Sequence, residues 1–195
     1  MKNLPRLLVL CVLSLGLFAS ARAAVETYTI DPVHSSVGFS IRHVFSKVPG
    51  SFSKFSGTIV VDQANAAVNT VDATIEIGSV NTASEKRDGH LQSPDFFDAA
   101  KFPAITFKSK SWAKTGADTY DVTGDLTIKG VTKSVVLKVK SLGFGPGMMG
   151  TPVSGWEATA TINRRDFGVD GPAMLGHAVG DEVVISINVE AGLKK

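Results

Sequence analysis

Apolar and polar residues alternate with a period of two through most of this chain. In a first segment Ser35, Val37, Phe39, Ile41 and His43 share one face, and His34, Ser36, Gly38, Ser40 and Arg42 share the other. The alternation recurs at Phe55-Gly57-Ile59-Val61, Val71-Ala73-Ile75-Ile77, Ile105-Phe107 and Tyr120-Val122-Gly124-Leu126-Ile128. It continues at Val135-Leu137-Val139, Trp156-Ala158-Ala160-Ile162 and Val183-Ile185-Ile187-Val189. Side chains two apart lie on one face of a strand, so the pattern predicts eight half-buried strands. Glu26 to Ile30 predicts a short additional strand, broken by Asp31-Pro32. Lys129-Gly130 between two strands marks a tight hairpin, and residues 144–155 form a glycine-rich loop.

Residues 82–100 break the alternation. Thr82-Ala83-Ser84-Glu85 has the spacing of a capping box, with Thr82 as N-cap and Glu85 reaching back. Ser93-Pro94-Asp95 is a second start signal, with proline at the first helical position. Two short helices are therefore expected at about 82–100. There is no repeat and no linker, which indicates one domain.

The resulting class is all-β. Eight amphipathic strands with one apolar face suit a sandwich or a closed barrel. Strand length favours an eight-stranded antiparallel barrel, because closure removes exposed edges. Such a barrel is just wide enough to be filled by side chains or to hold one small ligand. Gly57, Ala73, Gly124, Ala158 and Ala160 fall on inward faces among Phe39, Phe55, Phe107 and Trp156. These small residues either accommodate the taper of a packed barrel or leave an apolar cavity.

The first 23 residues read differently from the rest. Lys2 and Arg6 precede an apolar run from Leu7 to Ala19, and Ala21-Arg22-Ala23 offers small residues where a signal peptidase cuts. The run falls short of the roughly 20 residues needed to span a bilayer. We read 1–23 as a cleaved secretory signal and 24–195 as the mature domain, with no membrane segment after cleavage. Removing Lys2, Arg6 and Arg22 leaves 17 of the 20 basic residues against 18 acidic ones, a charge of −1. A near-neutral body lacks the basic face that nucleic-acid binding requires. The single cysteine, Cys11, lies in the leader, so the mature domain has no disulfide and no thiol chemistry.

Candidate chemistry is sparse. His34, His43, His90 and His177 show no metal-binding spacing, so no metal site and no cofactor are expected. Residues 145–150 match the letters of the dinucleotide fingerprint, but they open no helix that would receive a pyrophosphate. Met148 and Met149 are placed to drape over a lipid at the barrel mouth. Asp31, His34 and Ser35 have the letters of a hydrolytic triad at a strand start, where a turn-stabilising aspartate is the simpler reading. Arg164 shares parity with Ile162; it suits either an ion pair closing the barrel or a phosphate contact.

Five ordered motifs resemble the YceI family of periplasmic lipid-binding proteins. They are residues 30–43 (IDPVHSSVGFSIRH), 87–107 (RDGHLQSPDFFDAAKFPAITF), 124–137 (GDLTIKGVTKSVVL), 158–169 (ATATINRRDFGV) and 180–191. The resemblance implies a lipocalin-like barrel with helices beside it. It also implies an apolar tunnel for a polyisoprenoid, prenyl quinone, prenyl phosphate or fatty acid derivative, and a homodimer. The family carries no established catalytic residues, so none are assigned.

The expected function is thus a carrier of a lipid or isoprenoid ligand in the periplasm. The alternative is a hydrolase or other enzyme acting on an amphiphile through His34 or His43. The expected ligand-binding wall is Val37, Phe39, Ile41, Phe55, Ile59, Ile75, Ile77, Phe107, Leu126, Leu137, Trp156, Ala158 and Ile162, with His43 and Arg164 as polar contacts.

Overall fold

The alternating segments extend into strands in a computed structural model that describes residues 25–148, 150–176 and 178–194. The leader-like segment, Cys11, Met149 and His177 lie outside those residues. The described residues form eleven strands and one α-helix. The strands are β1 (Glu26–Ile30), β2 (Ser36–His43), β3 (Ser46–Phe52), β4 (Phe55–Val61), β5 (Thr70–Glu76) and β6 (Val80–Asn81). They continue with β7 (Ala104–Lys114), β8 (Thr119–Ile128), β9 (Val131–Pro146), β10 (Pro152–Asn163) and β11 (Val179–Leu193). The helix, α1, is Glu85–Gln92.

Eight strands close a ring in the order β1-β4-β5-β7-β8-β9-β10-β11, and β11 pairs back onto β1. The other three prolong members of that ring. Ile30 of β1 faces Ala191 and Ser36 of β2 faces Asn188, so both follow one another along β11. β3 runs into β4 and β6 continues β5, and β2-β3-β6 pair in the same order as β1-β4-β5. The result is an eight-stranded antiparallel barrel in which three long strands are broken part-way.

Each break leaves backbone groups without ladder partners, and serine hydroxyls take them up. Ser35 Oγ accepts from Glu190 N–H at 3.0 Å and donates to Glu190 C=O at 3.1 Å, where β11 changes partner from β2 to β1. Buried Ser79 accepts from Lys54 N–H at 3.0 Å and donates to Glu76 C=O at 2.7 Å. It thereby joins the break between β3 and β4 to the one between β5 and β6. At a bulge in β7, Ser109 accepts from Val71 N–H at 2.8 Å.

Several expectations need correction. β3 is an extra strand concealed by Pro49. Proline removes a ladder donor, and β3 tolerates it because only Ser51 and Phe52 have partners on its second edge. The glycine-rich loop shrinks to residues 147–151: β9 and β10 pair from Pro146 and Pro152 inward, with a register shift at Gly155/Trp156. The helix starts from Ser84, not from Thr82. Thr82 is engaged elsewhere: its N–H and hydroxyl donate to Asp88 at 2.9 and 2.6 Å, and Arg87 donates to its Oγ1 and carbonyl. No second helix follows Ser93-Pro94. Phe97 and Ala99 N–H turn back to Leu91 and Gln92 carbonyls, and Asp98 adopts φ 52°. Turns over 93–102 result.

The Lys129-Gly130 hairpin forms as read, with Ile128 opposite Val131 and φ of 50° and 75° at the two turn residues. A β-carbon on Gly130 would sit 2.6 Å from Phe102 Cε1. Gly130→Ala should therefore lower folding stability by about 2 kcal/mol through left-handed strain and the clash. Gly192→Ala, where nothing lies within 4 Å, should change it by less than about 0.5 kcal/mol. Urea denaturation of the two variants checks this.

Candidate functional site

Closing the ring turns one face of every strand toward a common interior, and that interior is not filled. It holds a cavity of about 770 Å³. The wall is aliphatic and aromatic along the barrel. An aromatic group closes one end: Trp112 stacks edge-on against Trp156 and Tyr120, and Phe144 bridges Trp156 to Tyr28, all at ring separations of 5.6–5.8 Å. Trp156 Nε1–H is satisfied by fully buried Ser154 at 3.0 Å. Burial, with Glu26 accepting its hydrogen bond at 2.8 Å, pushes the Tyr28 hydroxyl up to about 12.

The other end is lined differently. Phe96, Phe167, Val169 and Leu175 cover part of it from the segments after α1 and after β10. Beside them stand Thr82, Ser84, Lys86, Arg87 and His90 of the helix region, and His43 at the end of β2. Every ionisable side chain in the cavity lining is basic; no Asp or Glu contributes among the described residues.

The wall residues read from the sequence fall as follows. Val37, Phe39, Ile41 and His43 of β2, Phe55 and Ile59 of β4, and Ile75 of β5 line the cavity. So do Phe107 of β7, Leu126 of β8, Leu137 of β9, Trp156, Ala158 and Ile162 of β10, and Arg164 just beyond it. Ile77 does not. The strand ends at Glu76, and a 3₁₀ turn carries Ile77 into fully buried packing, its N–H bonded to Pro103 C=O at 2.9 Å. Among the small residues, Ala73 and Ala158 line the space, whereas Phe107 covers Gly124 and Ile30 covers Gly57. The cap residues of 84–97 and 167–175 escaped notice because a turn segment has no period that announces which side it buries.

Arg164 takes the barrel-closing role of the two considered. It is 5% exposed, and its Nε donates to Gly180 C=O at 2.9 Å. Nη1 donates to the Val169 carbonyl at 2.7 Å and to that of Asp170, and Nη2 donates to Asp181 at 3.0 Å. Burial and the neighbouring Arg165 push its pKa below the usual value. Arg165, donating to the same carboxylate at 2.7 Å, holds Asp181 below the usual carboxylate range. So committed, the guanidinium has little left to offer a ligand phosphate.

Asp31, His34 and Ser35 do not assemble a hydrolytic relay. His34 Nδ1 lies 2.7 Å from Asp31 Oδ2, but Ser35 Oγ is engaged by the Glu190 backbone, and none of the three lines the cavity. Asp31 Oδ1 accepts from Val33 N–H at 2.8 Å, as a turn-stabilising aspartate does. Glu190 joins the pair within 4.8 Å, a grouping of two carboxylates and an imidazole on the outside of the barrel. Sequence spacing gave no sign of it, because Glu190 arrives from the last strand.

A closed antiparallel barrel around one large apolar cavity defines a hollow β-barrel, not a packed scaffold. The sequence pattern of the YceI-like domain family matches residues 28–191, and the chain belongs to that family. It is 40% identical over 185 residues to Protein YceI of Escherichia coli O157:H7, covering 92% of this chain and 93% of that one. Among solved structures it is similar to BcnA of Burkholderia cenocepacia, at TM-score 0.77 and 29% identity over 83% of this chain and 99% of the other. A polyisoprenoid binding domain from Saccharophagus degradans shares the fold at TM-score 0.69 and 17% identity, over 86% and 98%.

Two expected outcomes follow from the polar groups. Arg164→Met should destabilise the fold by about 3 kcal/mol, since three carbonyls and a carboxylate lose their donor; Arg164→Lys should not restore it, because an ammonium lacks the fork. Urea denaturation reads both. The bond to Asp31 raises the His34 pKa above 6.5 and lowers that of Asp31 below 3.8. Stabilisation from the histidine is complete below pH 6.5 and fades as pH rises through its raised pKa; that from the aspartate is complete above 3.8 and fades as pH falls through its lowered pKa. The His34 ring resonances should titrate with a midpoint above 6.5, moving back toward that value in Asp31→Asn. A native midpoint at the ordinary value would contradict the pairing.

Proposed function

We propose that this protein is a periplasmic carrier holding one long-chain amphiphile of the polyisoprenoid class, as a lipid-binding protein and not as an enzyme. The observation that carries the reading is the cavity: an apolar bore with an aromatic floor and a polar end whose ionisable side chains, among the described residues, are all basic. A methylene takes up about as much space as a water molecule in the liquid, ~30 Å³. The 770 Å³ cavity therefore holds on the order of 25 such groups, within the usual range of ligand pockets. A chain of that length gains about 0.8 kcal/mol for each methylene removed from water. A longer polyprenyl chain extends past the mouth. The fold shared with a polyisoprenoid binding domain supports the ligand class. The leader pattern of residues 1–23 supports export, and the family resemblance supports the periplasm as its destination.

The head group belongs at the basic end. Lys86 and His43 line it, and Arg87 is held in place there by its bonds to Thr82. An anionic head, phosphate or carboxylate, matches this end in charge.

Native mass spectrometry of the purified protein should detect a co-purified amphiphile that organic extraction removes. Ala158→Trp places a large ring in the bore and should abolish that adduct while the circular dichroism spectrum is kept. Lys86→Gln should weaken an anionic prenyl phosphate by about tenfold, the worth of one charge-assisted hydrogen bond, and leave the neutral prenyl alcohol unchanged. A protein that purifies empty and takes up no prenyl lipid refutes the carrier.

A further inference from the structure

The β2–β3 hairpin ends in a two-residue turn, Val44-Phe45, with His43 opposite Ser46. Three choices there are locally unfavourable. Phe45 is fully exposed, at 102% of its reference area. Val44, a β-branched residue, takes φ 50° at a turn position that normally calls for glycine, asparagine or aspartate. Arg42 stands directly across the ladder from Lys47, a like-charge pair, and neither has an acidic partner among the described residues. The hairpin itself supplies none, with no Asp or Glu between Asp31 and Asp62, and Asp181 of the neighbouring β11 bulge is held by Arg164 and Arg165.

The turn is nevertheless held firmly. Val44 N–H donates to Ala178 C=O at 2.7 Å, Arg42 Nη1 donates to Val44 C=O at 3.1 Å, and Ser46 Oγ donates to His43 C=O at 3.2 Å. The stem below it lines the cavity through Ile41, His43 and Val48, so the tip stands on the rim of the mouth. The bond to Ala178 ties it to the segment in which Leu175 lines the cavity and Met174 is 89% exposed. Unfavourable local choices kept in a fixed geometry are characteristic of a working surface.

We propose that this rim is a membrane-docking surface: Phe45 enters the interfacial region of an anionic bilayer, with Arg42 and Lys47 on lipid phosphates. One occupant resolves the bare ring and the facing cations together. Lipid covers the phenyl ring, and anionic head groups separate the two facing cations. A second copy of the chain fits less well, since an isologous pairing of two tips brings Arg42 and Lys47 of one copy against those of the other. Insertion of Phe45 with Arg42 and Lys47 on head groups sets the orientation, with the cavity mouth against the membrane. An amphiphile then passes between bilayer and bore without crossing water. That last step rests on the carrier reading; docking itself does not.

The test is partition of the full mature chain onto phosphatidylcholine vesicles with and without phosphatidylglycerol. Wild type should bind the phosphatidylglycerol vesicles more strongly, and Phe45→Ser should lose about tenfold or more, the factor that burial of one phenyl side chain corresponds to. Arg42→Ala with Lys47→Ala should lose about thirtyfold on phosphatidylglycerol vesicles alone, from about 1 kcal/mol per basic residue near such a surface. Phe45→Trp should show a blue-shifted emission on adding vesicles. Phe45 is not in the cavity lining, so Phe45→Ser should take up geranylgeranyl phosphate from solution as wild type does. Wild-type partition in Phe45→Ser, an unshifted tryptophan, or a dimer in sedimentation velocity that Phe45→Ser dissolves would each overturn the docking surface. Vesicle binding without uptake of the prenyl phosphate would support it and count against the carrier.

Discussion

A barrel that encloses a cavity must coil its strands without leaving backbone groups unpaired in a wall that has apolar space on its inner side. An unsatisfied buried N–H or C=O costs about 1–3 kcal/mol. Here the strands break at Asp31–Ser35, at Ser53-Lys54 and at Ile77–Ser79, and the hydroxyls of Ser35 and Ser79 absorb the groups released. Ser109 does the same at the β7 bulge. These three serine hydroxyls are thus spent on the wall. The bore is left to aliphatic and aromatic side chains, and its volume is a consequence of curvature satisfied in this way.

The two ends of the bore are unlike because different parts of the chain close them. At one end the strands themselves converge, and Tyr28, Trp112, Tyr120, Phe144 and Trp156 pack edge to face across the opening. At the other, helix α1 and the segments around 93–102 and 164–176 lie over the strand ends, held by Arg164 and by Lys129 Nζ on the Pro94 and Gly168 carbonyls. Helix and turns bring Thr82, Ser84, Lys86, Arg87 and His90, which join His43 from the end of β2. The ionisable side chains of the lining gather at this end, and the β2–β3 hairpin stands there too.

Much of the barrel was legible because strand parity is a local property. Val37, Phe39 and Ile41, or Leu126 and Ile128, declare their common face by spacing alone. The failures share a cause. Pro49 disguised β3 because its tolerance depends on an open edge, which is a fact about neighbours. Glycines within 144–155 read as a loop, although paired strands can hold them once a bulge at Gly155/Trp156 absorbs the register shift. Thr82 has a capping-box spacing, yet Asp88 and Arg87 claim it. Ile77 continued the alternation by count, but the strand had already ended. At Arg164 parity placed the residue correctly and left its task open, since its carbonyl partners come from Val169, Asp170 and Gly180.

By itself the sequence determined which face of each segment is apolar, that the chain is all-β, that residues 124–137 turn at Lys129-Gly130, and that no thiol chemistry operates in residues 24–195. It also carried the family motifs. Tertiary structure decided that the ring closes β11 onto β1, that the enclosed faces leave a cavity of about 770 Å³, and that the ionisable side chains at its polar end, among the described residues, are basic. It also decided that Glu190 meets Asp31 and His34, and that Phe45 stands bare on the rim. The physical reason is that period-two patterning specifies the side a residue faces but not what faces it. Cavity volume, charge balance around a mouth and the exposure of a turn are sums over residues far apart in sequence, and only closure of the barrel brings them together.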